Sequence, residues 1–454
     1  MNQVTYTSCK SNTRGLRVWI EGQKLGLAGF EPNSPYSLRY APEAKSITLT
    51  LDPNGTRRVT KSTRNGKARP IIDLTGQALG EVFNAGEKLR VTFTRGQILI
   101  EQHHEASSQQ DREQRFQERT AAGTVTKASM FTGGGISTEA IAEAITESGI
   151  QSRMSWVCEM ETKYIESAGE NCLAIDDDTT FLVGMAEEIE PHLFTEVDVL
   201  SFSMPCAGFS KAGKAKHQQT SEQHSGTALF GVINAIKNSN PAVIISENVV
   251  EAQDSPIYQL LTSELERTGY KCFHQVLDQR HTGTIEKRAR YWLVAISEGI
   301  APESLELPEI IQQRPAIHSI LEADHGEEWS ANEYLREKEQ RDIAAGKGFR
   351  RQLLTGFEDT CGTIGRFYNK RRSTEPFVVN AEGLERLFTP VEHARVKSVP
   401  ERLIAGLSKT TAHEILGQSV DYRQPLYLAR ALLAAIGISP ARTNRRNLLL
   451  EAVA

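Results

Sequence analysis

The stretch Thr124-Val125-Thr126-Lys127-Ala128-Ser129-Met130-Phe131-Thr132-Gly133-Gly134-Gly135 decides the fold. It reads as a strand (Val125–Phe131) running into a glycine turn, and an amphipathic helix over Thr138–Ser148, stopped by Gly149, follows. The pattern recurs downstream. Strand-like runs fall at Ser155–Cys158, Val197–Ser203, Ala242–Ser246, Cys272–Leu277 and Tyr291–Ile296. Between them, Ala228–Lys237 sets Leu229, Val232, Ile233 and Ile236 on one helical face and stops at Asn240-Pro241. A second helix, Pro256–Thr268, has Pro at its first turn and Gly269 beyond its end. Such alternation predicts an α/β fold with a doubly wound, mostly parallel sheet.

Upstream the texture changes. Residues 1–104 form a β-rich segment in which Leu16–Ile20, Ser46–Leu51, Leu89–Phe93 and Ile98–Ile100 lie between Gly, Pro and Asn turns. A faint repeat is visible: Gly22-Gln23-Lys24-Leu25-Gly26 returns as Gly76-Gln77-Ala78-Leu79-Gly80, each followed by a Phe (Phe30, Phe83). The segment resembles the swapped-hairpin β modules of bacterial antitoxins and transition-state regulators, many of which bind DNA. An unrelated β-barrel-like accessory domain fits it equally. Residues 105–123 are polar with almost no apolar face and read as a solvated helix or linker between domains. Downstream, residues 124–299 carry the alternating core, 300–385 are rich in Glu, Arg, Gln and Gly with little periodicity, and 386–454 resume regular structure. Thr389-Pro390-Val391-Glu392 there is a capped helix start, and a closing helix is expected over Pro425–Ile436.

With 454 residues, 39% hydrophobic and 24% charged, the chain supports two or three globular domains. No apolar run approaches the roughly 20 residues of a membrane helix, and Met1–Thr5 lacks a signal peptide's basic and apolar regions, so a cytoplasmic protein with no membrane partner is expected. The six cysteines show no CxxC pair and no zinc spacing, so no metal is expected. The formal charge of −5 is uneven: residues 1–101 hold 15 Lys and Arg against 8 Asp and Glu, a balance of +7, leaving −12 on the rest. A basic module of this kind can sit on a phosphate backbone.

In an open α/β sheet, ligands bind beyond the carboxyl ends of the strands. Phe131–Gly135 stands at the end of the first strand, Glu159 at the end of the second, where it could accept hydrogen bonds from ribose hydroxyls. Pro205-Cys206-Ala207-Gly208 follows the third, leading into the Gly/Ser/Lys-rich stretch Ser210–Lys216. Glu247-Asn248-Val249 ends the fourth. Each is ambiguous by itself: a common glycine turn, an exposed carboxylate, a small core thiol, a strand-end acid. Their arrival at one rim of one sheet gives them weight.

In this order the segments resemble the DNA cytosine-5 methyltransferase family across residues 124–437. Phe131–Gly135 is similar to that family's cofactor-binding FxGxG turn, and Glu159-Met160 to the pair that holds ribose and packs on adenine. Pro205-Cys206 resembles the nucleophile motif, and Glu247-Asn248-Val249 and Arg288-Ala289-Arg290, with Gly283 five residues earlier, resemble two further motifs. Thr389–Glu392 resembles a later one, and Gly417-Gln418-Ser419-Val420 stands where the family has GNxV. The resemblance implies a fold of the S-adenosylmethionine-dependent methyltransferase type with residues 300–385 as target-recognition region. It implies S-adenosyl-L-methionine as cofactor, bound by Phe131, Gly133, Gly135, Glu159, Met160, Pro205 and Ser419, and duplex DNA as partner. Its catalytic set would be Cys206 as nucleophile, Glu247 as proton donor to ring N3, and Arg288 and Arg290 lowering the thiol pKa and holding the base's O2. Residues Ser210–Ser225, with Lys211, Lys214, Lys216 and His217, would close over DNA.

The chain departs from the family at four places. Ile136 follows Gly135 where a glycine is usual, no Asp stands near Gly184-Met185-Ala186-Glu187, Ala207 replaces a Gln, and Glu286 replaces another, which would add negative charge close to the substrate. Alternatives from other classes are a tRNA cytosine-5 methyltransferase, whose Cys-Phe-Thr signature is missing here, and a non-catalytic DNA-binding regulator, which would have no use for Cys206. A restriction endonuclease partner and a monomeric state complete the expectations.

Overall fold

The computed structural model describes residues 2–13, 15–64, 67–205, 218–307, 314–323, 326–347 and 350–438. The chain divides into two compact units, Met1–Asp111 and Arg112–Ala454.

The first unit is two antiparallel sheets. Strands β1 (Gln3–Ser8), β2 (Lys10–Asn12) and β3 (Gly15–Glu21) lead to a short helix α1 (Gln23–Leu27), then β4 (Pro35–Ala41) and β5 (Ser46–Leu51). Strands β6 (Arg57–Arg58), β7 (Thr60–Arg64) and β8 (Lys67–Thr75), a 3-10 turn at Gln77–Leu79, β9 (Lys88–Thr94) and β10 (Gln97–Gln102) follow. One sheet has the order β1-β9-β10-β5-β4-β6, the other β2-β3-β8-β7. Alternation along the strands, as in Leu89, Val91 and Phe93 or Ile98 and Ile100, buries one face of each sheet in a shared core.

The second unit is built on a seven-stranded sheet. Its elements are α2 (His104–Ala121), whose first residues belong to the other unit, β11 (Thr124–Met130), α3 (Ile136–Glu147), β12 (Gln151–Glu159), α4 (Thr162–Asn171), β13 (Thr180–Val183), β14 (Val199–Phe202), α5 (Gln218–Ser239) and β15 (Val243–Asn248). Then come α6 (Pro256–Arg267), β16 (Tyr270–Leu277), α7 (Gln279–Thr282) and β17 (Arg290–Ser297). The order is β13-β12-β11-β14-β15-β17-β16, parallel through β15, with β17 antiparallel to both its neighbours. Both faces are covered. Val243 and Ile245 pack under α3 and the C-terminal helices, whereas Ile244 and Leu200 meet Leu229 and Val232 of α5 and Leu261 of α6. The order reverses direction at β11, and that is where such sheets open a crevice.

The stretch expected to be a solvated helix or linker is a helix, and from Arg112 onward it is a structural part of this unit. Its helix α2 docks by arginines instead of an apolar stripe. Arg112, 2% exposed, donates to Ser297 Oγ (2.8 Å) and to the carbonyls of Thr268 (2.8 Å) and Gly269 (2.9 Å), and its guanidinium lies 3.9 Å from the Tyr270 ring centroid. Arg115 (3.3 Å) and Arg119 (3.1 Å) converge on the fully buried Asp198, which also accepts from the Thr126 amide (2.8 Å).

The described residues after 300 hold more regular structure than their composition predicts. Helix α8 (Glu333–Ala344) and a small sheet of β18 (Gln352–Leu354), β19 (Pro376–Val379) and β20 (Glu385–Arg386) surround Ile317, Leu354, Tyr368, Phe377 and Phe388. Helices α9 (Pro390–Val396), α10 (Lys409–Gln418) and α11 (Arg423–Ala435) return to the main sheet. The expected cap at Thr389 is present: its hydroxyl accepts from the Glu392 amide (3.0 Å) and the Glu392 carboxylate accepts from the Thr389 amide (2.9 Å). Among the described residues, no helix is long and apolar enough to cross a membrane.

Candidate active site

At the carboxyl end of β11 the chain must turn sharply into α3. Phe131 adopts φ +53°, a strained value for a side-chain-bearing residue, and Gly133 and Gly135 take φ +53° and +82°. A side chain at Gly135 would press on Cys172, and one at Gly134 on Ile415, so this turn tolerates only glycine at close range. The Gly133 amide donates to Glu159 Oε2 (2.9 Å), while Oε1 accepts from the amides of Met160 (2.9 Å) and Glu161 (3.1 Å). Three backbone donors therefore aim this carboxylate. Met160 leaves its thioether chain 58% exposed beside it. An oriented carboxylate, an exposed flexible apolar chain and a tight glycine turn at a helix N-terminus fit a nucleoside-bearing cofactor. The Gly184 amide donates to the Glu159 carbonyl (3.1 Å), so Met185 stands at the place where an acid was sought.

The second cluster lies two strands away. Glu247, near the end of β15, is an ion-pair partner of Arg290 at the start of β17, with Nε 2.8 Å from Oε1. Antiparallel pairing of β15 with β17 brings them together, since Asn248 sits opposite Tyr291. Asn248 is buried and donates to the Met204 carbonyl (3.0 Å) and to Tyr258 Oη (3.3 Å). It thereby ties the Glu247 strand end to the segment that carries half-buried Pro205. Tyr258 Oη in turn contacts Ser246 Oγ (2.9 Å) and donates to the Glu247 carbonyl (3.3 Å). Cys206 and the Ser210–Lys216 stretch lie outside the described residues, as do the side chains of the expected closing loop through Ser225.

The five other cysteines are free thiols. Burial pushes Cys158 and Cys272 up to about 12, and it raises Cys9, Cys172 and Cys361 as well. None is set up to form a thiolate near neutral pH.

Arg288 does not join Arg290. It is 4% exposed and its guanidinium donates to the Gly417 carbonyl (3.1 Å), the Ile364 carbonyl (3.3 Å) and Glu286 Oε1 (3.3 Å). Its backbone carbonyl accepts from buried Gln424 (2.8 Å). The expected catalytic role for Arg288 is thus corrected: this side chain fastens the 286–290 segment to residues far along the chain. Glu286 is corrected too. Fully buried, it accepts from the Ile364 amide (2.8 Å) and pairs with Lys397 (3.2 Å), so its charge is met inside the protein. Burial works against its ionised form, but Lys397 and Arg288 together hold its pKa below the usual carboxylate range. With one carboxylate between two cations, Lys397 gives way: burial, then Arg288, bring it down to about 7.

Ser419 caps the C-terminus of α10, its hydroxyl donating to the Leu416 carbonyl (2.9 Å), and its own carbonyl accepts from Lys397 (2.9 Å). Gly417 is required because the Gly365 backbone crosses where its side chain would be. Tyr258 and Lys397 are the supporting residues that sequence reasoning missed, and Asn248 was read only as part of the Glu247–Val249 segment. The replacement of Gln by Glu at 286 was the one signal for Lys397.

Comparison with known proteins follows this geometry. A family model described as C-5 cytosine-specific DNA methylase matches residues 174–436, more than half of the chain. That span holds Cys206, Glu247, Arg288, Arg290 and Ser419, and it begins after the Phe131–Gly135 turn and Glu159. The type II methyltransferase M.NlaX of Neisseria lactamica is 29% identical over 246 residues, covering 53% of this chain and 77% of its own. The type II methyltransferase M.MspI of Moraxella sp is 26% identical over 275 residues, covering 60% and 64%. The solved Dnmt2 methyltransferase of S. pombe shares the fold, with a TM-score of 0.55 at 16% identity over 69% of this chain and 99% of that one. On the matched span and the sheet that carries it, the chain belongs to the C-5 cytosine-specific DNA methylases.

Proposed function

We propose that the protein methylates carbon 5 of a cytosine within a specific duplex DNA sequence, through a covalent bond between Cys206 and carbon 6 of the base. The observation that carries this reading is the Glu247–Arg290 pair at 2.8 Å, on a strand end that Asn248 links to Met204, two residues before Cys206. S-adenosyl-L-methionine supplies an electrophilic methyl on sulfonium sulfur, and Phe131, Gly133, Gly135, Glu159, Met160, Pro205 and Ser419 are the residues that would hold it.

The chain's own groups make carbon 5 reactive. The target base must leave the duplex, at a cost of a few kcal/mol for unstacking. The Cys206 thiolate adds to carbon 6 while Glu247 passes a proton to N3, and the resulting enamine makes carbon 5 nucleophilic. Arg290 holds the Glu247 carboxylate and the base's O2. After methyl transfer, loss of the carbon 5 proton to a base expels the thiolate, and N3 returns its proton to Glu247. The type II relatives support a place beside a restriction endonuclease of the same recognition sequence.

Duplex DNA with 5-fluorocytosine at the target tests the mechanism, because fluorine cannot leave as a proton does. A cofactor-dependent, denaturant-resistant adduct that maps to Cys206 is expected. Cys206→Ala should lose both adduct and methylation and still bind DNA, while Cys272→Ala should keep both. An adduct on another cysteine, or methylation by Cys206→Ala, would overturn the mechanism.

A further inference from the structure

The N-terminal unit is the same supersecondary element built twice, with strands exchanged between the copies. Element by element, β1 to β5 with α1 correspond to β6 to β10 with the 3-10 turn at Gln77–Leu79. The pairings obey this correspondence throughout. Strand β1 pairs with β9 of the other copy, and its counterpart β6 pairs with β4. Hairpins β2–β3 and β7–β8 match, as do β4–β5 and β9–β10. Both sheet orders read the same from either end once the copies are interchanged.

The registers are symmetric to the residue. Gly22 and Gly76 precede the two equivalent turns, so Trp19 is equivalent to Asp73, and these two residues face each other at the centre of the β3–β8 ladder. In the other sheet the centre is Thr48 opposite Leu99, flanked by Ile47 opposite Ile100 and Leu49 opposite Ile98. Adjacent antiparallel strands with a self-symmetric register are related by a twofold axis normal to the sheet. Both copies therefore turn the same face outward. On β3 that face is Trp19's, since Val18 and Ile20 on the opposite side are buried.

The charge follows the symmetry. Residues 10–17 contain Lys10, Arg14 and Arg17 and no acid, and residues 57–69, which span β6 and the hairpin equivalent to β2–β3, contain Arg57, Arg58, Lys61, Arg64, Lys67 and Arg69 and no acid. These two stretches hold the whole basic excess of residues 1–101. Of the described residues among them, Lys10 on β2 and Arg69 on β8 are exposed in the outer hairpins of the four-stranded sheet and stand on the Trp19 face, whereas Lys61 on β7 is exposed on the other face and Arg57 and Arg58 form β6 of the other sheet. The symmetry breaks at the centre. There Arg17 stacks on Trp19 (4.4 Å) and binds Asp73 (2.8 Å), which commits these groups to one another.

A surface that presents one basic two-stranded ribbon twice about a twofold axis fits a polyanion with the same symmetry. Two-stranded ribbons also fit the major groove, and half-site spacing mirrors protein symmetry. We infer that residues 1–111 recognise duplex DNA of inverted-repeat sequence, at a site separate from the methylated cytosine. This rests on DNA being the enzyme's partner, and it adds a second, sequence-reading contact that one chain makes without dimerising.

Selection of a random duplex library by the full chain, without cofactor, tests it. Recovered sequences should contain an inverted repeat with half-sites about 10 base pairs apart, and footprinting should protect both halves. Arg69→Glu, in a chain whose thermal melting is unchanged, should lose protection of one half-site and weaken binding at least about tenfold. Recovery of the methylation target alone, of a second motif without inverted symmetry, or unchanged binding by this variant would overturn the inference. Because the assay reads binding without turnover, an inverted repeat bound by an enzyme that methylates nothing would sink the proposed reaction and leave this site standing.

Discussion

Lys397 Nζ lies 3.2 Å from Glu286 Oε2 with both side chains fully buried, and Arg288 stands 3.3 Å from the other carboxylate oxygen. This cluster is where residues 286–290, Ile364 of the segment between β18 and β19 and the C-terminal part meet, and it sets where Arg290 begins its strand. Glu286→Gln leaves two cations together with no counter-charge and should cost about 3–5 kcal/mol, while Glu286→Gln with Lys397→Gln should recover much of that. The pH dependence has a defined sign. An unfolded lysine keeps its proton to about 10.4, whereas folded Lys397 loses it near 7. Between those values the unfolded chain binds more protons, so stability rises with pH, and below about 7 this group adds no further change. In Glu286→Gln the folded value drops further and stability should keep falling below pH 7. Equal melting temperatures for that variant at about pH 8 and pH 6 would refute the assignment.

The two arginines should separate by assay. Arg288→Ala removes three hydrogen bonds from a buried segment and should lower the melting temperature sharply, with a loss of about 3–5 kcal/mol. Arg290→Ala and Glu247→Gln should melt near the parent and slow single-turnover methyl transfer by about 100-fold or more. Arg290→Ala with full rate would remove it from the chemistry.

Target choice should reside in residues 300–385, and the buried basic residues there should not contribute. Arg351 is spent inside, bound to fully buried Glu385, and Arg351→Ala should destabilise without changing specificity. Lys370 (4.6 Å) and Arg372 (4.8 Å) flank the Phe367 ring from the surface. Losing a base-reading side chain of this set should cost about 1–3 kcal/mol of discrimination. Methylation mapped at base resolution after Arg372→Ala or Lys370→Ala, or after exchange of the whole segment, reads the effect. An active chimera with unchanged target sequence would refute it.

Removing residues 1–103 should flatten the salt dependence of DNA binding and leave methyl transfer at saturating DNA, if the +7 balance of residues 1–101 acts on phosphates as proposed. A truncated chain that melts cooperatively but turns nothing over would make this unit part of the catalytic machinery.

The central sheet was legible because its buried strands carry apolar runs, as in Tyr291–Ile296 of β17 and Ala242–Ile245 after Asn240-Pro241. Strand β13 escaped because it is an edge strand with only Leu182 buried, and α4 because its short amphipathic run was not read. The core around Ile317, Leu354, Tyr368 and Phe388 has no period to find, since its members come from turns and short strands. At the site, strand ends announced Glu159 and Glu247, and the family resemblance announced Arg290. The true role of Arg288 was invisible because its partners Ile364 and Gly417 are 76 and 129 residues away.

Helix α2 sets where this protein can be cut or recombined. The polar composition invites a boundary at Thr124, yet such a chain would begin without Arg112, Arg115 and Arg119. Asp198 would then be left buried with the Thr126 groups as its partners and no cation, at a cost of several kcal/mol. Any exchange of N-terminal modules, by evolution or at the bench, must therefore splice ahead of Arg112 and inherit the rest of the helix. The boundary between the two units falls within helix α2, so the helix from Arg112 onward is the catalytic unit's own first segment.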